Sequence, residues 1–366
     1  MRIRPGFGQV SAALVIMILT LPGVCGAQPA PYTFTTIASS SGQFAGPGGP
    51  PTINKGGDVA FWASLDAGGA GIYVGNGGAI TTIAETGSLF GDIYPQSPSI
   101  NNAGMVAFVG DLVAGGRAIA TGKDGISTIL YDETGKFSSF AGHAWINDRG
   151  VVVFLAGLDS GQFGIFKGKG RRARAIVIAG SHNLTAFPSM NRHGVVSFVA
   201  ADVNGVNGIF VGNGRSGVTT LVDTSGPYSS FGAVSAINNN GVVVFFGLLD
   251  IGGSALATAG TDSRTIADTT SGAFSNLGSA SINNKGQVVF YGELPTGENG
   301  IFAGPSPMTD KVIMSGDPLL GSTVVSVSLS WKALNDSGQI AFSVFLADGT
   351  LAVVRADPRD TARAHP

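Results

Sequence analysis

Asn335-Asp336-Ser337-Gly338-Gln339-Ile340-Ala341-Phe342 is one of seven copies of a single phrase, and its recurrence decides the fold. Each copy has Asn, then Gly three residues on, Val or Ile at five and Phe at seven. The asparagines are Asn54, Asn101, Asn147, Asn191, Asn238, Asn283 and Asn335, and no position of the frame fails in any copy. Successive asparagines lie 47, 46, 44, 47, 45 and 52 residues apart, the length of a propeller blade of four short strands and long for most helical solenoids. Helix is also excluded locally. Runs such as Val242 to Phe246 and Val288 to Phe290 are β-branched and aromatic, are bounded by Gly and Asn, and show no helical period.

Working outward from the phrase, each unit reads as four strands. A short first strand ends just before Asn. The Asn-x-x-Gly turn follows, with Asn accepting from backbone amides and Gly free to take positive φ. The second strand runs through the Val and Phe positions and is apolar on both faces, as expected of a sheet covered on both sides by neighbouring blades. The third carries Gly-Ile-aromatic, as at Gly71-Ile72-Tyr73 and Gly300-Ile301-Phe302. The fourth is the Thr-Ile-Ala type of Thr82 to Ala84 and Thr265 to Ala267. The expected fold is therefore all-β, a seven-bladed propeller of four-stranded antiparallel blades.

A fourth-strand phrase, Thr33-Phe34-Thr35-Thr36-Ile37-Ala38, precedes the first Asn, while the seventh Asn is followed by second and third strands and then a polar tail. The N-terminal strand is thus expected to complete the last blade and remove the open edge of a linear stack. Blade 7 also departs from its siblings. The longer stretch from Gly304 to Trp331 reads as the fourth strand of blade 6, an enlarged interblade loop and the first strand of blade 7.

The phrases Ile266 to Thr269, Ser281 to Phe290 and Leu334 to Thr350 resemble the tandem Asn-x-x-Gly repeats of secreted bacterial proteins of unknown function, and more distantly HAF-type repeats. The resemblance covers nearly the whole chain after the leader. It implies a propeller-like fold and an extracytoplasmic location, and it carries no catalytic residue.

The ends of the chain agree with that location. Arg2 and Arg4, an apolar run from about Val10 to Leu21 and small residues up to Ala27 make a secretory signal peptide over residues 1–27. The run is too short for a membrane span. The one cysteine, Cys25, falls inside it. A single propeller is expected over 28–357 and a polar tail over 358–366, secreted to the periplasm or beyond, as a monomer without a transmembrane segment. A net charge of −2 with 12% charged residues gives no electrostatic reason for a nucleic-acid partner, and the Arg171, Arg172 and Arg174 cluster reads as a solvated turn.

Candidate chemistry gathers at one end of the blades. Every unit places an acid shortly after its second strand: Asp66, Asp111, Asp159, Asp202, Asp250, Glu293 and Asp348. By strand alternation these loops share a face with the interblade loops, which add Asp223, Asp268 and Asp317 and aromatics such as Phe44, Phe90, Phe137, Tyr228, Phe231 and Phe274. One reading has the acids cap turns and the rings pack between blades. The other gathers Asp223, Asp268, Asp317, Phe231 and Phe274 into a site for a glycan, a cell-envelope component or an extracellular protein. Calcium is the metal such oxygens would suit, and no other cofactor is expected. An enzymatic alternative, a polysaccharide hydrolase or lyase, needs two acids at the channel mouth, one with a raised pKa. The repeat asparagines read as turn caps alone. His143, His182, His193 and His365 show no metal-ligand spacing, and no nucleophile elbow or phosphate loop occurs.

Overall fold

The computed structural model describes residues 31–359 except 96, 97, 181, 185 and 186. The expected signal peptide with Cys25, and the tail beyond Arg359 with His365, lie outside the described residues. Every helix or strand element among them is a β-strand, and the strands form seven antiparallel sheets arranged as the blades of a propeller. Blade 3 is representative, with Phe137–Ile146 innermost, then Val152–Leu158, Phe163–Lys169 and Arg172–Ile178.

The second strands carry the core. Phe61, Phe154, Phe198, Phe290 and Phe342 are fully buried, and Phe108 and Phe245 nearly so. Their apolar alternates, such as Ala60, Val153 and Val244, are also buried, because the next blade packs on that face. The glycines answer two different demands. The frame glycines take φ between 72° and 86°, where a Cβ is strained. The third-strand glycines approach the neighbouring strand: a Cβ on Gly71 would lie 2.6 Å from the Ala84 carbonyl, and one on Gly300 2.6 Å from that of Ile313.

In blade 7 the outermost strand is Tyr32–Ser39, which pairs antiparallel with Leu351–Pro358 from Tyr32 opposite Pro358 to Ser39 opposite Ala352. The long stretch before Asn335 resolves into Lys311–Met314, which is the outer strand of blade 6, a small hairpin strand Pro318–Leu319, and Ser322–Leu334, the inner strand of blade 7.

One expectation needs correction. In blades 1, 3, 5 and 7 the inner strand is not short: Phe44–Ile53, Phe137–Ile146 and Tyr228–Ile237 each span ten residues and Ser322–Leu334 thirteen, whereas in blades 2 and 4 it is broken into short pieces. Pairing with the second strand is interrupted between Gly48 and Thr52, Phe140 and Ala144, Phe231 and Ser235, and Leu329 and Leu334. The Gly- and Pro-rich residues that resemble loop are bulges inside a strand. The same correction moves the aromatics. Phe44, Phe90, Phe137, Phe140, Tyr228 and Phe274 are buried within the blades rather than displayed on a loop face.

Candidate functional site

The Asn-x-x-Gly turns crowd around the axis at one end of the propeller. In six of them the Asn Oδ1 accepts from the amides two and four residues ahead at 3.0–3.1 Å, as Asn238 does from Asn240 and Val242. Asn54 accepts from Asp58 at 3.0 Å. The other half of the amide reaches outward. Each Asn Nδ2 donates to the backbone carbonyl of the Asn in the next blade, at 3.0–3.4 Å, and the series ends with Asn335 donating to Asn54. The seven asparagines thus form a closed hydrogen-bonded belt, each residue 3–6% exposed.

A second tier sits directly after the belt, at Lys55, Asn102, Asp148, Arg192, Asn239, Asn284 and Asp336. Here the side-chain oxygen of one blade accepts the backbone N–H of the preceding one. The links are Lys55 to Asn102, Asn102 to Asp148, Arg192 to Asn239, Asn239 to Asn284 and Asn284 to Asp336, at 2.8–3.0 Å. Two links are missing, because Arg192 and Lys55 have no side-chain oxygen. Among the described residues the amides of Asp148 and Asp336 have no acceptor, and each precedes a cationic position in the next blade. These turns line a polar recess of about 130 Å³.

The inner strand of blade 7 forms the floor of that recess. Ser330 Oγ donates to the Pro51 carbonyl at 2.5 Å. Trp331 packs against the cores of blades 3 to 6, with its ring 4.9 Å from that of His143, which in turn lies 4.4 Å from Phe187. Lys332 Nζ donates to Ser99 Oγ at 3.2 Å, to the Ile146 carbonyl at 3.1 Å and to the Ile100 carbonyl, and lies 5.3 Å from the Trp145 ring centre. Burial pushes Lys332 down to about 8, against the pull of the Asp148 carboxylate. Burial likewise pushes His143 down to about 4, and its Nδ1 is enclosed without a hydrogen-bond partner. Together these groups plug the axis behind the recess.

The opposite end is organised differently. Asp202, Asp223, Asp268 and Asp348 accept from within their own turns, and hydrogen bonds from Val206, Ser225, Thr270 and Thr350 respectively hold them below the ordinary carboxylate range. Asp111 is instead bound by Tyr94 and by Arg117 at 3.0 Å. Those bonds outweigh burial and lower its pKa. Among the described residues every carboxyl whose pKa is displaced is displaced downward, the reverse of what a general acid needs.

The five residues singled out from sequence fall in separate turns and strands. Asp223 accepts from Ser225 N at 2.9 Å, and Asp268 from Thr270 Oγ1 at 2.6 Å and Ser271 N at 2.7 Å. Asp317 pairs with Lys311 at 2.7 Å and accepts from Met314 N at 2.9 Å. Phe231 is half-buried against Tyr228 and Phe245. Phe274 is 1% exposed between Phe290 and Phe302. Among the described residues no three His, Cys, Asp or Glu side chains cluster as metal ligands, and no helix is long and apolar enough to cross a membrane.

A model of a family of unknown function, DUF7453, matches residues 130–353, more than half of the chain. The chain belongs to the DUF7453 family. The match takes in the belt positions from Asn147 to Asn335 and the axial residues His143, Trp331 and Lys332. No curated protein matches the sequence. Among solved structures, an oligogalacturonate lyase in complex with manganese aligns at TM-score 0.59 and 11% identity, over 90% of this chain and 97% of that one. A prolyl endopeptidase aligns at 0.53 and 12%, over 89% and 51%. Prolyl oligopeptidase B from Galerina marginata aligns at 0.50 and 11%, over 83% and 46%. At such identities the likeness concerns the propeller fold alone.

Sequence reading assigns the asparagines to turn capping and misses the belt. The signal is present all the same. Asp caps such turns as Asn does, yet all seven positions hold Asn, which implies a demand for a donor as well as an acceptor.

Proposed function

We propose that this propeller is a non-enzymatic binding module, secreted to the periplasm or beyond, which takes its ligand in the recess at the asparagine end. The ligand is a carbohydrate, a cell-envelope component or a protein segment bearing acceptor oxygens. The carrying observation is the interrupted second tier. Five blade junctions satisfy a backbone N–H with a neighbour's side-chain oxygen, whereas the junctions before Arg192 and Lys55 leave one N–H open beside a cation. An oxygen of a bound carboxylate or hydroxyl would complete either junction as Asn or Asp does elsewhere, with the added strength of a charge-assisted bond. The apolar leader in the first 27 residues supports the location. Acids held in their own turns, and a blocked axis, favour binding over hydrolysis or lysis.

The test is a ligand screen by thermal shift with oligosaccharides, uronic acids and peptides. A hit should lose its stabilising effect in Lys55→Ala/Arg192→Ala and keep it in Asp268→Ala/Asp317→Ala. The opposite pattern would move the site to the acid end. Release of new reducing ends or unsaturated sugars from a polysaccharide would make the protein an enzyme.

A further inference from the structure

The charge of this molecule is not spread evenly. Blade 3, residues 137–178, holds Arg149, Lys167, Lys169, Arg171, Arg172 and Arg174 against Asp148 and Asp159, whereas blades 1, 2, 5, 6 and 7 each carry more acids than cations. Blade 4 adds Arg192 and Arg215 on the side that meets blade 3. These residues sit in or beside the first-to-second and third-to-fourth strand turns, at the same end as the belt, where Asp148 is the one carboxylate among them, whereas Asp159 and Asp202 lie at or after the ends of the second strands, at the opposite end.

Contacts bring the turns together. Lys169 Nζ donates to the Arg149 carbonyl at 2.9 Å, Lys167 Nζ to that of Gly194, and Arg174 to that of Gly214 at 3.5 Å. All but Lys167 are exposed, and none of the four ion pairs among the described residues includes them. Burial first, and then the repulsion of Arg215 and Arg174, lower the pKa of Lys167. Like charges are therefore held side by side, eight cations to the one carboxylate of Asp148 and none in an ion pair among the described residues, an arrangement that costs stability and that folding alone does not call for.

We propose that this sector, spanning the asparagine-end turns of blades 3 and 4, is a docking surface for an acidic polysaccharide chain. The inference goes beyond the recess reading: it shares Arg192 with the recess but rests on Arg149, Lys167, Lys169, Arg171, Arg172, Arg174 and Arg215, which do not line it. A single small anion would meet exposed charges that are individually weak and screened. A chain with regularly spaced carboxylates meets several at once. The turns 147–151, 167–174, 191–195 and 212–217 contain no Phe, Tyr or Trp, so they offer no aromatic platform on which bases of a single strand could stack. None of the large exposed apolar side chains lies in them, so nothing there would insert into a membrane. What remains is a solvated, charged, hydrogen-bonding surface suited to a solvated polymer.

The experiment measures binding of the full chain to immobilised alginate, with dextran as neutral control and a short DNA duplex as competitor. Wild-type protein should bind alginate, ignore dextran, and lose binding between about 50 and about 300 mM NaCl. Arg171→Gln/Arg172→Gln/Arg174→Gln should weaken binding by about tenfold. Lys123→Gln/Lys285→Gln/Arg359→Gln changes net charge equally from other exposed positions, and should stay within about twofold. Thermal melts confirm that both variants fold. Equal loss in the two triple variants would reduce the effect to net charge and overturn the proposal, as would no binding by wild type. DNA that outcompetes alginate at equal charge would assign the surface to nucleic acid instead.

Discussion

The two ends of the propeller repeat the same arithmetic with different chemistry. At one end seven asparagines begin the turns between the first and second strands. At the other, six aspartates and Glu293 follow the second strands. A carboxylate only accepts, and Asp202 and Asp348, like Asp268 at the end of a fourth strand on the same side, spend their oxygens on donors two to four residues away. A carboxamide also donates, so each asparagine closes its own turn and holds the next blade. The difference of one donor turns seven independent turns into a closed belt.

The sharpest test exchanges the two chemistries. Asn238→Asp keeps the acceptor that caps the turn but sets a buried carboxylate against the Asn283 carbonyl, and should cost about 3 to 4 kcal/mol in a denaturant titration. If it costs no more than about 0.5 kcal/mol, the belt does not bind the blades and both ends are merely capped.

The plug between the ends gives the next largest effect, as a pH dependence. His143 titrates near 6.5 when unfolded and near 4 in the fold. Its contribution is complete above pH 6.5 and is lost as pH falls toward 4, by roughly 3 kcal/mol. His143→Leu should flatten the stability profile in that window relative to wild type. Identical slopes would mean that the imidazole meets water.

Lys332 acts in the same direction at higher pH. With a folded pKa near 8 against 10.5 unfolded, the unfolded chain holds its proton more tightly, so stability should rise as pH goes from 8 toward 10.5. Lys332→Met should abolish the rise. At neutral pH it should cost about 2 kcal/mol by leaving the Ile100 and Ile146 carbonyls without their donor. A variant as stable as wild type at pH 7 would show that the ammonium is not a bolt across the axis.

The smallest effect completes the exchange. Asp268→Asn retains an acceptor for Thr270 and Ser271 and should change stability by less than about 0.5 kcal/mol. A loss comparable to that of Asn238→Asp would erase the contrast between the ends.

Local physics is legible in the residues themselves. A Gly three residues after each Asn fixes a turn because only positive φ closes it, and period-47 copies of Val and Phe fix a strand buried on both sides. Where the chain needs only nearby partners, as in the aspartate-capped turns, one of the two sequence readings describes the outcome. The inner strands escape such a reading because Gly48-Gly49-Pro50-Pro51 and Ala141-Gly142-His143 have the composition of loops. A bulge satisfies them only when a paired neighbour holds both flanks, and that neighbour is not written in the segment itself.

Sequence alone therefore determined the blades, their number and the residues of each turn, since these follow from contacts a few residues apart and from one repeated pattern. Tertiary structure decided the rest. The belt joins residues about 47 positions apart, and Lys332 meets Ser99 from 233 positions away. The two open N–H groups of the recess exist because two of seven equivalent positions, Lys55 and Arg192, cannot supply an oxygen to a neighbour that only ring closure brings beside them. Such partnerships depend on which blade follows which around the axis, a relation that composition and period do not encode.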